Sequence, residues 1–326
     1  VHALARGGTP DAESVRRGAD WLLSKEIFTG GDWQVNNPAG QPGAWAFEFD
    51  NPVYPDTDDT SAVLMALFFA GRRGEAGFSA GMKWLHSMQN VDGGWGAFDR
   101  NVDLKVLEHL PWADHNALLD PSTADLTGRI LELYGYLGSH KNERFVHRAV
   151  QFLRKNQEAD GSWFGRWGVN YIYGTWQVLV GLRAVGVDIR EDWVQRAAGW
   201  LRSVQNSDGG WGESCRSYSE PANKGRGPST PSQTAWAVLG LLSAGAAPSD
   251  PAAQGGLEWL LRNQRPDGTW DESEHTGTGF PGVFYLVYTL YRHYFPLLAL
   301  QAARDGVEPR SQQPKSDRYE IAGDVS

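Results

Sequence analysis

The sequence predicts an all-α fold, a ring of antiparallel helix pairs closed into an α/α barrel, and three observations predict it. A segment ending in Gln, a short polar stretch, Gly and Trp recurs at residues 81–95, 148–163, 196–211 and 255–270. A worn fifth copy at 17–33 carries Glu26 near the Gln position. Inside the copies the apolar residues keep helical spacing: Ala149, Phe152 and Leu153 fall on one face. Almost no stretch alternates with period two, which argues against strands.

Each copy reads as a helix closed by a turn, because the Gly of Asp-Gly accepts positive φ. The Gln amide is placed to hydrogen-bond backbone groups at a neighbouring helix end while the indole covers it. Between copies, residues 61–70, 124–137 and 232–244 read as further helices, which completes the pairs. The repeat residues themselves read as a structural clamp. The longest apolar stretch, 280–300, reaches the length of a membrane span, but Arg292, His293 and Pro296 interrupt it. It reads as a core or interfacial helix, core being the better fit.

Composition narrows the function. The 326 residues are 41% apolar, enough for a sizeable core, and 15 Trp and 39 Gly are accounted for by the repeat. A formal net charge of -9 argues against nucleic acid. One cysteine, Cys215, cannot close an intramolecular disulfide, and no CxxC pair exists. The chain opens at Val1 with no signal-peptide pattern, which reads as a fragment or a trimmed sequence. Residues 1–303 read as one barrel domain, and the polar residues 304–326 as a disordered tail.

Two acidic blocks carry the chemistry. Pro55-Asp56-Thr57-Asp58-Asp59-Thr60 precedes an apolar helix, and on its own it reads equally as a helix start with Asp56 as cap. A calcium loop fits poorly, since Ser61 stands where such a loop needs Gly. The alternative is an acid that protonates an alkene. Crowded carboxylates hold one proton at neutral pH, and a helix N-terminus favours the anion once the proton leaves. The second block, residues 120–129, reads as a capping box of Ser122 and Asp125, with Asp125 and Arg129 as an i,i+4 ion pair.

These blocks and the repeat resemble the class II terpene cyclases of the squalene–hopene cyclase type. The repeat is similar to their QW motif, and Asp56–Thr60 to their DxDDT signature. The resemblance covers about residues 15–303 and implies that Asp58 donates the proton, supported by Asp56 and Asp59, with Asp125 and the basic residue four positions on as partners of the acid. The best-known hopene cyclases have His there; this chain has Arg129, which stays charged throughout.

The resemblance also implies a cavity lined by Phe47, Phe98, Trp167, Tyr173, Phe280, Phe284, Tyr288 and Tyr291, rings whose faces stabilise carbocations. By spacing alone Phe284, Tyr288 and Tyr291 share a helical face, a stripe that is more often core than site. Phe98 falls where hopene cyclases often have Tyr, which keeps the ring and loses the hydroxyl.

The implied reaction is acid-initiated polycyclisation of a linear polyprene, squalene to hopene or hopanol, with no metal or organic cofactor. The implied setting is an apolar polyprene substrate at a membrane surface, peripheral on the cytoplasmic side, with a homodimer as one arrangement. Full-length members carry a second barrel domain, so a half-enzyme fragment or a single-domain cyclase acting on a shorter prenyl or meroterpenoid chain are the alternatives. A zinc prenyltransferase subunit shares the barrel and would need Cys215 with Asp and His ligands. A scaffold built only of repeats would leave the two acidic blocks without a purpose.

Overall fold

In the computed structural model, residues 1–9, 11–48, 50–51, 53–102 and 119–307 are described. Of the expected disordered tail, 304–326, Arg304 and Asp305 instead finish the last helix, and 308–326 lies outside the described residues. Helices α1 (His2–Arg6), α3 (Thr57–Phe69), α5 (Ala124–Tyr136), α7 (Tyr171–Ala184), α9 (Pro231–Ser243) and α11 (Tyr291–Asp305) form an inner ring in that order, and α1 closes it against both α3 and α11. The repeats supply the outer helices α2 (Glu13–Ser24), α4 (Ala76–Ser87), α6 (Arg144–Lys155), α8 (Asp192–Ser203) and α10 (Pro251–Arg262). The expected α/α barrel is therefore the observed one, and the three expected inner helices agree with α3, α5 and α9 to within a few residues.

The repeat closes each outer helix in one way. The indole Nε1 of Trp95, Trp163, Trp211 and Trp270 donates to the carbonyl ten residues back, on Leu85, Leu153, Leu201 and Leu260. The Gln amide donates forward: Gln89 to Phe145 O, Gln157 to Trp193 O and Gln205 to Ala252 O, each in the first turn of the next outer helix. The turn glycines have positive φ, 98° at Gly93, and pack against the next helix so closely that a Cβ there would meet the Arg148 carbonyl.

The worn copy differs from expectation. Trp45, not Trp33, donates to the helix end, at Leu22 O, and its amide donates to Thr60 Oγ1 as the amides of Trp95, Trp163 and Trp211 donate to Thr127, Thr175 and Thr234. Trp33 instead packs edge-on to Trp84.

Alternation of outer and inner helices makes all inner helices run parallel, and glycines let two of them approach closely. A Cβ on Gly128 of α5 would lie 2.6 Å from Gln177 O of α7, and one on Gly181 would strike the Gly128 carbonyl. The N-termini of the inner helices thus gather at one end of the barrel, where α3 is capped by Asp56 and α9 by Thr230.

The stretch 280–300 is not one helix. Gly277–Phe280 (β1) and Phe284–Leu286 (β2) form a bulged antiparallel hairpin, the one sheet among the described residues, and helix resumes at Tyr291. The glycines of Thr-Gly-Thr-Gly and Pro281-Gly282 turn the chain where periodicity alone suggested a continuous face. Phe284, Tyr288 and Tyr291 therefore do not share a helical stripe. Pro296 is carried inside α11, where it removes one backbone bond without ending the helix. No helix among the described residues is long and apolar enough to cross a membrane.

Candidate active site

The end of the barrel where the inner helices begin holds the acidic blocks. Asp56 Oδ1 accepts from Asp59 N at 2.7 Å, which satisfies an orphan amide of α3 and fixes the first turn. The Asp56 and Asp59 carboxyls also share a side-chain hydrogen bond, and burial raises both above the ordinary carboxylate range. One proton held between two buried oxygens is the economical arrangement for such a pair.

Asp58, on the first turn of α3, faces Arg129 of α5: Nε and Oδ1 lie 3.0 Å apart. That is ion-pair distance, yet neither buried atom has an aligned hydrogen bond. Burial pushes the Asp58 carboxyl up to about 6; Arg129 opposes this, and the charges of Asp59 and Asp125 add to it. Its side chain remains 26% open, although Oδ1, the oxygen beside Arg129, is buried. Burial works against the Arg129 charge, but Asp58 and the tyrosine hydroxyls outweigh it and Arg129 is held firmly cationic. Its Nη2 donates to Tyr173 OH at 2.5 Å.

Asp125 is placed differently from expectation. Its Oδ2 accepts from the amides of Arg166 and Trp167, both at 2.9 Å, so it anchors the loop that presents Trp167 and leaves Arg129 to Asp58. Ser122 makes no capping box either; its hydroxyl serves Asp92 and Asn90. The reason is tertiary: α7's leading loop offers two free amides directly above the start of α5. Asp120, which the spacing left unassigned, accepts from the amides of Ala97, Phe98 and Asp99 and anchors the loop of Phe98.

The expected aromatic residues contact one another in three sets, and Tyr173, Tyr288 and Tyr291 lie close enough to Asp58 to feel its charge. Phe47 meets Tyr288 edge-on at 6.3 Å, Tyr288 stacks on Tyr291 at 4.6 Å, and Tyr291 leads through Trp236 to Tyr173. Phe98 and Trp167 meet edge-on at 5.9 Å. Phe280 pairs with Phe284 across the hairpin at 5.6 Å. Phe47, Phe98 and Phe284 are substantially exposed, Tyr173 fully buried.

Two rings escaped the sequence reading. Trp176 and Trp236 stack at 5.7 Å inside the barrel. Each is the sixth residue of its inner helix, the position Arg129 holds in α5, and aligning the inner helices by their starts would have exposed that layer.

Among the described residues no group of three or more His, Cys, Asp or Glu is arranged to hold a metal ion, and burial pushes the Cys215 thiol up to about 11, away from thiolate. The geometry suits a different task. A raised, partly open carboxyl stands beside a fixed cation that can receive its negative charge, with Tyr288 and Tyr291 nearby.

The chain is also similar to known proteins. Residues 1–305 match the family described as squalene-hopene cyclase C-terminal domain. The chain is 49% identical over 315 residues to squalene–hopene cyclase of Alicyclobacillus acidocaldarius, covering 95% of this chain and 50% of that protein. It is also 49% identical over 292 residues to squalene-hopene cyclase of Schizosaccharomyces japonicus, covering 89% and 44%. Dammaradiene synthase of Dryopteris crassirhizoma is 41% identical over 341 residues, covering 96% and 50%. The chain spans about half the length of the curated relatives it matches. Among solved structures, the type II terpene cyclase MstE from Scytonema superposes with a TM-score of 0.65 at 15% identity, covering 93% of this chain and 87% of that one. At that identity the match speaks for the fold.

Proposed function

The chain belongs to the squalene–hopene cyclase family, and on that premise we propose that it is the acid-bearing half of an enzyme that polycyclises squalene. The observation that carries the reading is the partly open Asp58 carboxyl, set 3.0 Å from the largely buried Arg129.

Asp58 gives its proton to a terminal alkene carbon; a C–H bond forms and the carboxylate stays behind, paired with Arg129. The opposite alkene carbon becomes a cation, and successive double bonds attack it to close rings. Phe47, Tyr288, Tyr291, Phe98 and Trp167 offer π-faces along that path, each worth about 2 kcal/mol or more to a desolvated cation. Phe280 and Phe284, on the hairpin, are assigned by the family resemblance to cations that form later. Loss of a proton or capture of water ends the cascade. Asp56 and Asp59 support the acid by crowding and by fixing the turn that carries it. Asp125 acts through Trp167, as a positioning residue.

Such a substrate is insoluble, so the working protein belongs at a membrane surface, peripheral and on the cytoplasmic side. We take residues 1–303, with the two further residues that finish α11, as the barrel domain of a longer protein.

The test is product analysis. Detergent-dispersed squalene incubated with the protein should give cyclised hydrocarbon or alcohol by gas chromatography–mass spectrometry. Asp58→Asn should give none while melting at the wild-type temperature. Turnover retained by Asp58→Asn would overturn the assignment; cyclisation of a shorter prenyl chain in place of squalene would move the substrate and keep the chemistry.

A further inference from the structure

Strand β1 is held on both sides. On one it pairs with β2; on the other it bridges the loop before α7, with Val169 N donating to Thr276 O at 3.1 Å and Thr278 N to Trp167 O at 3.2 Å. Gly168 and Gly277 face each other at that bridge. The two bonds flank the pair instead of joining it. That is the close antiparallel pairing, with Cα atoms about 4.5 Å apart and side chains crowded together. Here neither residue has a side chain. A Cβ on Gly168 would strike the Tyr173 ring at Cγ and both Cδ atoms, and one on Gly277 would strike the Tyr288 ring at Cε2. Neither glycine has positive φ, so space, not backbone conformation, calls for glycine at both. The backbone has little room to yield: Asp125 Oδ2 accepts from the amides of Arg166 and Trp167, and Tyr218 OH lies 2.8 Å from the carbonyls of both Gly165 and Gly168.

We propose that Gly168 and Gly277 are positioning residues for the cyclisation: their bridge is the seat of the Tyr173 and Tyr288 rings, and it sets where those rings stand beside Asp58 and Arg129. The inference rests on the proposed reading of Asp58 as the cyclisation acid. The two rings come from different parts of the chain. Tyr173 is on α7 and takes a hydrogen bond from Arg129; Tyr288 precedes α11, stacks on Tyr291 and meets Phe47. No single helix carries both, so their relative placement is set where both rest, at the glycine pair. The two seats respond differently to a methyl group. Tyr173 is fully buried and struck at the base of its ring, so Gly168→Ala strains the core. Tyr288 is partly open and struck toward the far side of its ring, so Gly277→Ala swings it off β1 with the fold kept. A displaced Tyr288 offers its π-face in the wrong place, and the cascade stops short.

Gly277→Ala tests this in two assays. With squalene, complete cyclisation should fall about tenfold relative to partly cyclised products, the scale of one weakened cation–π contact. Gly277→Ala/Tyr288→Ala should give the product pattern of Tyr288→Ala alone, because the methyl then has no ring to strike. Without substrate, urea unfolding of the same variants should show the cost of Gly277→Ala relieved by Tyr288→Ala and unrelieved by Tyr173→Ala. Gly168→Ala should show the reverse pairing. A wild-type product pattern in Gly277→Ala, an equal fall in every product, or a cost in either assay that Tyr288→Ala leaves untouched would overturn the proposal. Turnover retained by Asp58→Asn would instead sink the reading of the acid, and the unfolding cycle, which needs no substrate, would still judge the seat.

Discussion

Replacing Arg129 by Met tests the pairing at the centre of the site, because the two carboxyl states respond oppositely to it. At 3.0 Å the charge interaction is about 1.4 kcal/mol in a water-like dielectric and about 5.5 kcal/mol at an effective constant near 20. Asp58 is partly open, so the lower end applies, and losing the cation should raise its carboxyl by about 1–2 pK units at about 1.4 kcal/mol per unit. The direction follows from the protonated form being the active one: activity is full below the carboxyl's pKa and falls as pH rises through it. The alkaline limb should start from about 6 in the wild type and move upward in the variant. The acid then keeps its proton longer but releases it less readily. If half the lost stabilisation is felt in the transition state, the plateau rate at low pH should fall about 3- to 10-fold. The assay is initial rate of cyclised product against pH, with thermal melting as the fold control. A limb that stays in place while the rate falls would refute the reasoning, since it would mean that Arg129 acts only by shape.

Three further changes test the frame. Trp211→Phe removes the indole donor from Leu201 O, a buried bond of 2.7 Å, and should cost about 1–3 kcal/mol in a denaturant titration. Gly181→Ala drives a methyl into the Gly128 carbonyl and should lower stability by about 1–3 kcal/mol or more, with calorimetry as the check. Glu26→Gln should stabilise the protein. Burial raises the Glu26 carboxyl, so its contribution is present at low pH and lost as pH rises through its folded pKa. The variant's advantage in melting temperature should therefore grow with pH, and a constant difference would refute it.

Glu26 also shows how the sequence was readable. Four intact copies fix the repeat, and the fifth is found by comparison with them; which tryptophan closes it is not, because Trp45 lies beyond a loop that no spacing rule spans. DxDD is legible since its chemistry lies in consecutive residues. Arg129 was found by resemblance and Asp125 with it, but their partners were not: i,i+4 spacing suggests that they pair with each other, while the fold gives Arg129 to α3 and Asp125 to the loop before α7. The hairpin at 277–286 escaped because an apolar run with aromatic spacing resembles a buried helix, and only its glycines argued otherwise. Trp176 and Trp236 escaped because a Trp in an apolar helix reads as core. Core they are, though the layer they occupy continues the wall of the site.

On the proposed reading, the arrangement also accounts for the choice of Asp58 among several acids at the same end. Parallel inner helices bring their positive N-termini together there, each equivalent to about half a unit charge, and carboxylates answer them. Asp120 is held by three backbone amides, Asp125 by two in the loop before α7 and one in its own turn, Glu213 by those of Asn170 and Ile172, and Glu272 by that of Ser232. Asp56 and Asp59 are held by each other. A carboxyl fixed by amides has its oxygens committed, and those bonds oppose the proton that burial would otherwise keep. The Asp58 carboxyl has no backbone donor among the described hydrogen bonds, and Arg129 alone opposes its protonation. Its proton is retained by burial and by crowding, its anion is welcomed by Arg129 and the helix ends, and its side chain is partly open. On the proposed reading, an acid that protonates an alkene needs those three conditions on one oxygen pair, and position in the ring, more than the acidity of any Asp, supplies them.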